Sequence, residues 1–113
     1  MTRWFLVKLP LVAILAVCIV YVFVIPQRQI RAEHERHKRV ADDIRALNAQ
    51  LNSYKDSNGA YPASLSELKN VGNDAWGQKY IYRVPGLHNR DDYDLFSAGP
   101  DHTPDTLDDD WGD

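Results

Sequence analysis

The residues best suited to chemistry are aspartates crowded at the C-terminal end. After Arg90 the chain carries Asp91, Asp92, Asp94, Asp101, Asp105, Asp108, Asp109, Asp110 and Asp113, with no Lys or Arg among them. Carboxylates gathered without counter-charge suit either a solvated acidic tail or a hard cation held by oxygen ligands. Such a segment repels a phosphate backbone and excludes nucleic acid as a partner. It is not an EF-hand, because neither that loop's Gly nor its terminal Glu stands at the required spacing. The run Asp108-Asp109-Asp110 has no positioned base, nucleophile or pocket-forming Gly motif beside it, so the chain does not read as an enzyme. His34 and His37 stand three apart, a spacing open to a transition metal on a helix, but such a pair is more often a solvated face near lipid headgroups. Trp76 and Trp111 read as packing aromatics.

These residues need elements to position them, and the first quarter of the 113-residue chain supplies an anchor. No charged side chain occurs from Leu9 to Ile25, and Trp4 to Val7 extends the apolar stretch with only Lys8 interrupting. A run of about 20 residues at about 1.5 Å each crosses a hydrocarbon core of about 30 Å. Pro10 is expected in the first turn or two of this helix, where its missing N–H costs little. No small-residue cleavage site follows the run, which argues against a removed signal peptide. Cys18, the only cysteine, sits inside the run behind the bulky Val17; it reads as a small hydrophobe rather than a lipidation site, and no disulfide is available. The chain therefore divides into a transmembrane anchor over 1–26 and a domain over 27–113. A domain of roughly 80 residues has a marginal core, and a metal or assembly is the natural supplement. Basic residues flank both ends of the span, so charge alone leaves its orientation weakly set, leaning towards a cytoplasmic C-terminus.

Val40, Ile44, Leu47, Leu51 and Tyr54 recur at four-three-four-three spacing and share one face of a helix. With no Gly or Pro from Gln27 to Ser57, the membrane helix can continue past a bend at Pro26 to about Asp56, where Asn58-Gly59 stops it. Ser64 with Glu67 gives a capping-box pattern for a short helix over Leu65 to Lys69. The stretches 79–84 and 93–97 alternate like half-buried strands and suit an antiparallel pair separated by Pro85-Gly86 and polar residues.

Three segments, Tyr54-Lys55-Asp56-Ser57-Asn58-Gly59-Ala60-Tyr61-Pro62, Asp74-Ala75-Trp76-Gly77-Gln78-Lys79-Tyr80 and Asp94-Leu95-Phe96-Ser97-Ala98-Gly99-Pro100-Asp101, closely resemble the major pseudopilin family of type II secretion. The match runs from about Pro26 to the C-terminus. It implies an α+β, type IV pilin-like fold: a long N-terminal helix, transmembrane and then amphipathic, packed on a small antiparallel sheet with a C-terminal calcium loop. It implies a single-pass protein of the bacterial inner membrane with a periplasmic domain, partnered by other pseudopilins, secretion components or its own copies. The family's calcium ligands fall on the Ala98 carbonyl, Asp101, Asp108 and Asp110, with Asp105 and Asp109 as spares; Gly99 and Pro100 allow the turn that would aim the Ala98 carbonyl inward.

Two departures accompany the match. Carried back from Pro26, the family's N-terminal Phe falls on Phe5, its cleavage-site Gly on Trp4 and its membrane-embedded Glu on Leu9. Trp4 is expected to block prepilin processing, and Leu9 removes a charge that pairs with a neighbour's amine in the family's filament. The implied function is a calcium-stabilised structural subunit or accessory of a pseudopilus-type export machine. The alternative is a stand-alone, membrane-tethered periplasmic binding protein that uses a pseudopilin-like domain.

Overall fold

The computed structural model describes the backbone of residues 2–113 and the side chains from Pro10 onward. The expectations attached to the Trp4 and Leu9 side chains lie outside the described residues. Helix α1 (Thr2–Ile19) runs into a π-helical turn over Val20–Val24, and α2 follows over Ile25–Asn58. Pro10 lies inside α1, in its third turn, later than expected. Pro26 falls in the opening turn of α2, immediately after the π turn, so the helical path adjusts just before the residue that cannot donate a hydrogen bond. By contacts the chain forms two compact units, residues 1–34 and 35–113.

In the first unit the apolar side chains from Leu11 to Phe23 are exposed. The helical stretch Pro10–Asn58 includes an 18-residue window of mean hydropathy 2.4 with none of its residues buried, long and apolar enough to cross a membrane.

The second unit is built on the striped face of α2. Val40, Ile44, Leu47 and Leu51 are buried and gather with Tyr80 and Leu95 into one cluster; Tyr54, the last residue of the expected stripe, is half-buried. Tyr61, Leu65, Leu68, Val71, Ala75, Trp76, Tyr82 and Tyr93 close over it. Three tyrosine hydroxyls fasten this layer: Tyr80 donates to Asp43 Oδ2 (2.7 Å), Tyr93 to Asn48 Oδ1 (2.7 Å) and Tyr82 to the Pro62 carbonyl (2.7 Å). Burial, with the Asp43 carboxylate beside it, pushes the Tyr80 phenol well above its ordinary value, and burial pushes Tyr93 up to about 12.

Helix α2 ends where expected: Gly59 takes φ +82° and donates to the Lys55 carbonyl (2.7 Å). The capping pattern yields only a single 3-10 turn, Leu65–Glu67. Ser64 Oγ accepts from the Ser66 N–H (3.2 Å), but Glu67 reaches the Ala63 N–H (3.0 Å) rather than that of Ser64. The sheet is an antiparallel pair, β1 (Ile81–Arg83) with β2 (Asp94–Phe96), in the register Ile81 to Phe96 and Arg83 to Asp94. Both strands are shorter than their sequence patterns. Pro85 offers no N–H to extend β1, and Ser97 leaves the ladder to pair with Asp110.

Leu51 is fully buried in this cluster. Leu51→Asp is expected to cost about 3–5 kcal/mol by burying an unpaired carboxylate, a large share of a small domain's stability. Thermal melting followed by circular dichroism checks this; a wild-type midpoint would place the stripe against something other than the core.

Candidate functional site

The acidic segment is held by two buried polar anchors. Ser97, with 0% of its surface exposed, donates its hydroxyl to Asp74 Oδ2 (2.6 Å) and accepts from the Gly99 N–H (3.1 Å). Its backbone exchanges both hydrogen bonds with Asp110 (2.9 Å each), so the chain leaves β2 at Ser97 and returns beside it after the loop. Asp74 in turn accepts from the N–H groups of Trp76 (3.0 Å) and Gln78 (2.8 Å), fixing the turn that carries Gly77.

The second anchor is Asp94, also 0% exposed. Its carboxylate accepts from the backbone N–H groups of Leu87 (2.7 Å), His88 (3.0 Å) and Asn89 (3.0 Å), so one side chain closes the β1–β2 connection. Gly86 is required there, because a Cβ would collide with the Asp94 carboxylate. Burial raises the Asp94 pKa, but the three N–H donors outweigh it and hold the carboxyl below its ordinary value.

Beyond these anchors the loop begins at Gly99, whose φ is +75° and where a Cβ would strike the Asp108 carbonyl oxygen. Asp101 accepts from the Thr103 N–H (3.0 Å) and the Thr106 hydroxyl (2.7 Å), which hold its carboxyl below the usual range. Asp109 Oδ2 accepts from the N–H groups of Asp105 (2.8 Å) and Thr106 (3.3 Å), while its Oδ1 is buried without a hydrogen-bond partner. Asp105 makes a two-pronged pair with Arg83 (2.8 Å twice), which lowers its pKa. Asp108 is exposed. Asp110 Oδ2 lies 2.6 Å from His37 Nδ1 on α2, and its Oδ1 accepts from the Gly112 N–H (2.9 Å).

Of the candidate ligands, Asp101 and Asp109 thus meet at Thr106, whereas Asp105 and Asp110 are engaged elsewhere. Among the described residues no three His, Cys, Asp or Glu side chains are gathered closely enough to hold a metal ion. Sequence reasoning missed the His37–Asp110 contact, which spans 73 residues, and the edge-on packing of His37 against Trp76 (5.3 Å between rings). Spacing within a helix carries no signal for either. It read Trp111 correctly as a packing residue, stacked on Phe96 at 4.4 Å.

Residues 65–111 match the family model for type II secretion system protein G. The type II secretion system core protein G of Escherichia coli (strain K12) is 31% identical over 126 residues, covering 90% of this chain and 86% of that protein. That of Dickeya chrysanthemi is 31% identical over 108 residues, covering 76% and 69%, and that of Pseudomonas aeruginosa 29% over 113 residues, covering 80% and 78%. The chain belongs to the type II secretion system protein G family. The resemblance read from three short motifs is thereby borne out. The matched region takes in the 3-10 turn, both strands and the whole acidic loop to Trp111, so the anchors at Asp74, Asp94 and Ser97 all lie inside the protein G match. No solved structure gives a significant match.

The depressed Asp94 pKa has a definite sign. Its contribution is fully present above the unfolded carboxylate value of about 3.9 and is lost as pH falls through the lower folded value. Asp94→Asn, whose amide hydrogens oppose three N–H donors, is expected to lose about 2–3 kcal/mol at neutral pH. Melting temperatures from about pH 2 to 7 check both: the wild type should fall more steeply below pH 4 than the variant.

Proposed function

We propose that this chain is a structural subunit or accessory of a type II secretion machine and carries out no catalysis of its own. Membership of the protein G family is the observation that carries this reading. Residues 1–26 act as a single-pass anchor in the inner membrane, supported by the exposed apolar helix, and residues 27–113 form a periplasmic domain that meets other pseudopilins, secretion components or further copies of itself. Trp4 and Leu9, standing where the family has Gly and Glu, favour the second reading of a tethered binding protein outside the filament.

We further propose that calcium stabilises the domain through the acidic loop. The donors would be the Ala98 carbonyl and the carboxylates of Asp101, Asp108 and Asp110, with Asp105 and Asp109 in reserve. The support is chemical. Asp109 Oδ1 is a buried carboxylate oxygen with no hydrogen-bond donor, the kind of group a hard cation satisfies. It moves Asp109 ahead of Asp105, whose oxygens are taken by Arg83, and of Asp110, whose oxygens are taken by His37 and Gly112.

Deletion of the gene is expected to abolish export of a type II substrate, with recovery on complementation. Unimpaired export would overturn the subunit reading in favour of the tethered binding protein. For calcium, an ion bound only by the folded state at a hundredfold excess over Kd contributes about 2.7 kcal/mol, a rise of several degrees in Tm for a small domain. Melting of residues 28–113 in chelator and then in millimolar calcium checks this, with Asp101→Ala and Asp109→Ala expected to remove the gain and magnesium to give less of it.

A further inference from the structure

The membrane reading leaves two cations at the end of the span without a role. Arg28 and Arg31 stand three apart on one face of α2, and both are exposed. Among the described residues neither guanidinium has a hydrogen-bond or ion-pair partner, and no acidic residue lies between Pro26 and Ala32. Two basic residues further along the helix are engaged within the folded domain. Arg39 donates to the Asn73 carbonyl (3.3 Å) and lies 3.9 Å from Asp43, and Arg45 lies 3.5 Å from Asp42.

Position along the helix says what the free pair meets. From Ile25, the last residue of the charge-free run, Arg28 is about 4–5 Å along the axis and Arg31 about 9 Å. The polar layer on each face of a bilayer is about 5–7 Å deep, and an arginine stem is long enough to bring its head back into that layer from slightly beyond it. A guanidinium offers two parallel N–H donors to phosphate oxygens. The acidic loop of a second copy is a poorer occupant, because the carboxylates of Asp101, Asp105 and Asp110 are committed within their own domain.

We propose that Arg28 and Arg31 form a docking pair for the phosphate groups of anionic phospholipid at the membrane surface where the chain emerges. The proposal rests on the membrane reading of residues 1–26. Its consequence is a preferred lipid neighbourhood that fixes the height and rotation of the helix as it leaves the bilayer.

The test is electron paramagnetic resonance of the full chain reconstituted in phosphatidylcholine vesicles, with spin-labelled phosphatidylglycerol or phosphatidylcholine as tracer. The wild type should restrict phosphatidylglycerol in preference to phosphatidylcholine by up to about fivefold per arginine. The preference should fall to near parity in R28Q/R31Q and return in R28K/R31K. Equal restriction of the two lipids by the wild type, or a preference that survives R28Q/R31Q, overturns the proposal. A wild type without lipid preference whose self-association is abolished by R28Q/R31Q assigns the pair to a second copy and overturns it as well. Failure to restrict either lipid would show that the chain does not enter the bilayer, overturning the membrane reading itself.

Discussion

The hydrogen bond between the Ser97 hydroxyl and Asp74 joins parts of the domain that share no regular secondary structure. Ser97 follows β2, Asp74 organises the turn leading to β1, and the Ser97 backbone brackets Asp110, through which the C-terminal segment reaches His37 on α2. Four segments distant in sequence therefore meet within two residues of one buried hydroxyl. Removing that hydroxyl would leave Asp74 Oδ2 buried without a donor and free the Gly99 N–H at the point where the acidic loop begins. The penalty for such unmade bonds exceeds the worth of the bonds themselves, which is why so small a group can fix so much structure.

A two-stranded sheet is marginal alone and must be packed on something. Here α2 supplies the surface, and the buried apolar cluster needs only four helix residues with Tyr80 and Leu95. What the small core cannot do is dictate the path of the long connections, since those have little apolar surface to bury. Asp94 and Asp74 take over this task, each holding backbone N–H groups of a turn on a single carboxylate. A buried carboxylate is costly unless fully hydrogen-bonded, so each anchor specifies one loop conformation and penalises others.

The parts legible in the sequence are those governed by local periodicity. The stripe from Val40 to Leu51 shows its buried face through a 3.6-residue repeat, Gly59 marks the helix end through its left-handed backbone, and β1 and β2 show through alternation. Strand lengths were overread because alternation continues past the residues whose N–H groups find ladder partners. The two polar anchors, Ser97 with Asp74 and Asp94, appeared only as letters within the family motifs. Their role depends on which turn folds onto which carboxylate, a long-range fact that spacing does not encode. The acidic tail shows the same limit: nine aspartates read alike, yet the fold gives Asp94 to a turn, Asp105 to Arg83, Asp110 to His37, and leaves Asp109 with a buried, unpartnered oxygen.

That division of labour explains how an irregular acidic loop is held in one shape. Gly99, His102 and Asp105 all adopt positive φ, a region that residues other than glycine enter only when their surroundings insist. At Asp105 the side chain is gripped by Arg83 and the backbone N–H by Asp109; three residues earlier the His102 N–H bonds back to the Gly99 carbonyl (3.2 Å). Asp101 and Asp109 then approach Thr106 from opposite directions along the chain, one through its hydroxyl and one through its N–H. Asp109 accepts two donors on Oδ2 and still has its second oxygen available, which a neutral side chain with a single acceptor oxygen cannot match. Asp101, Asp105 and Asp109 therefore each help to fix the loop's path, and the mutual repulsion their charges bring is what a bound cation would relieve.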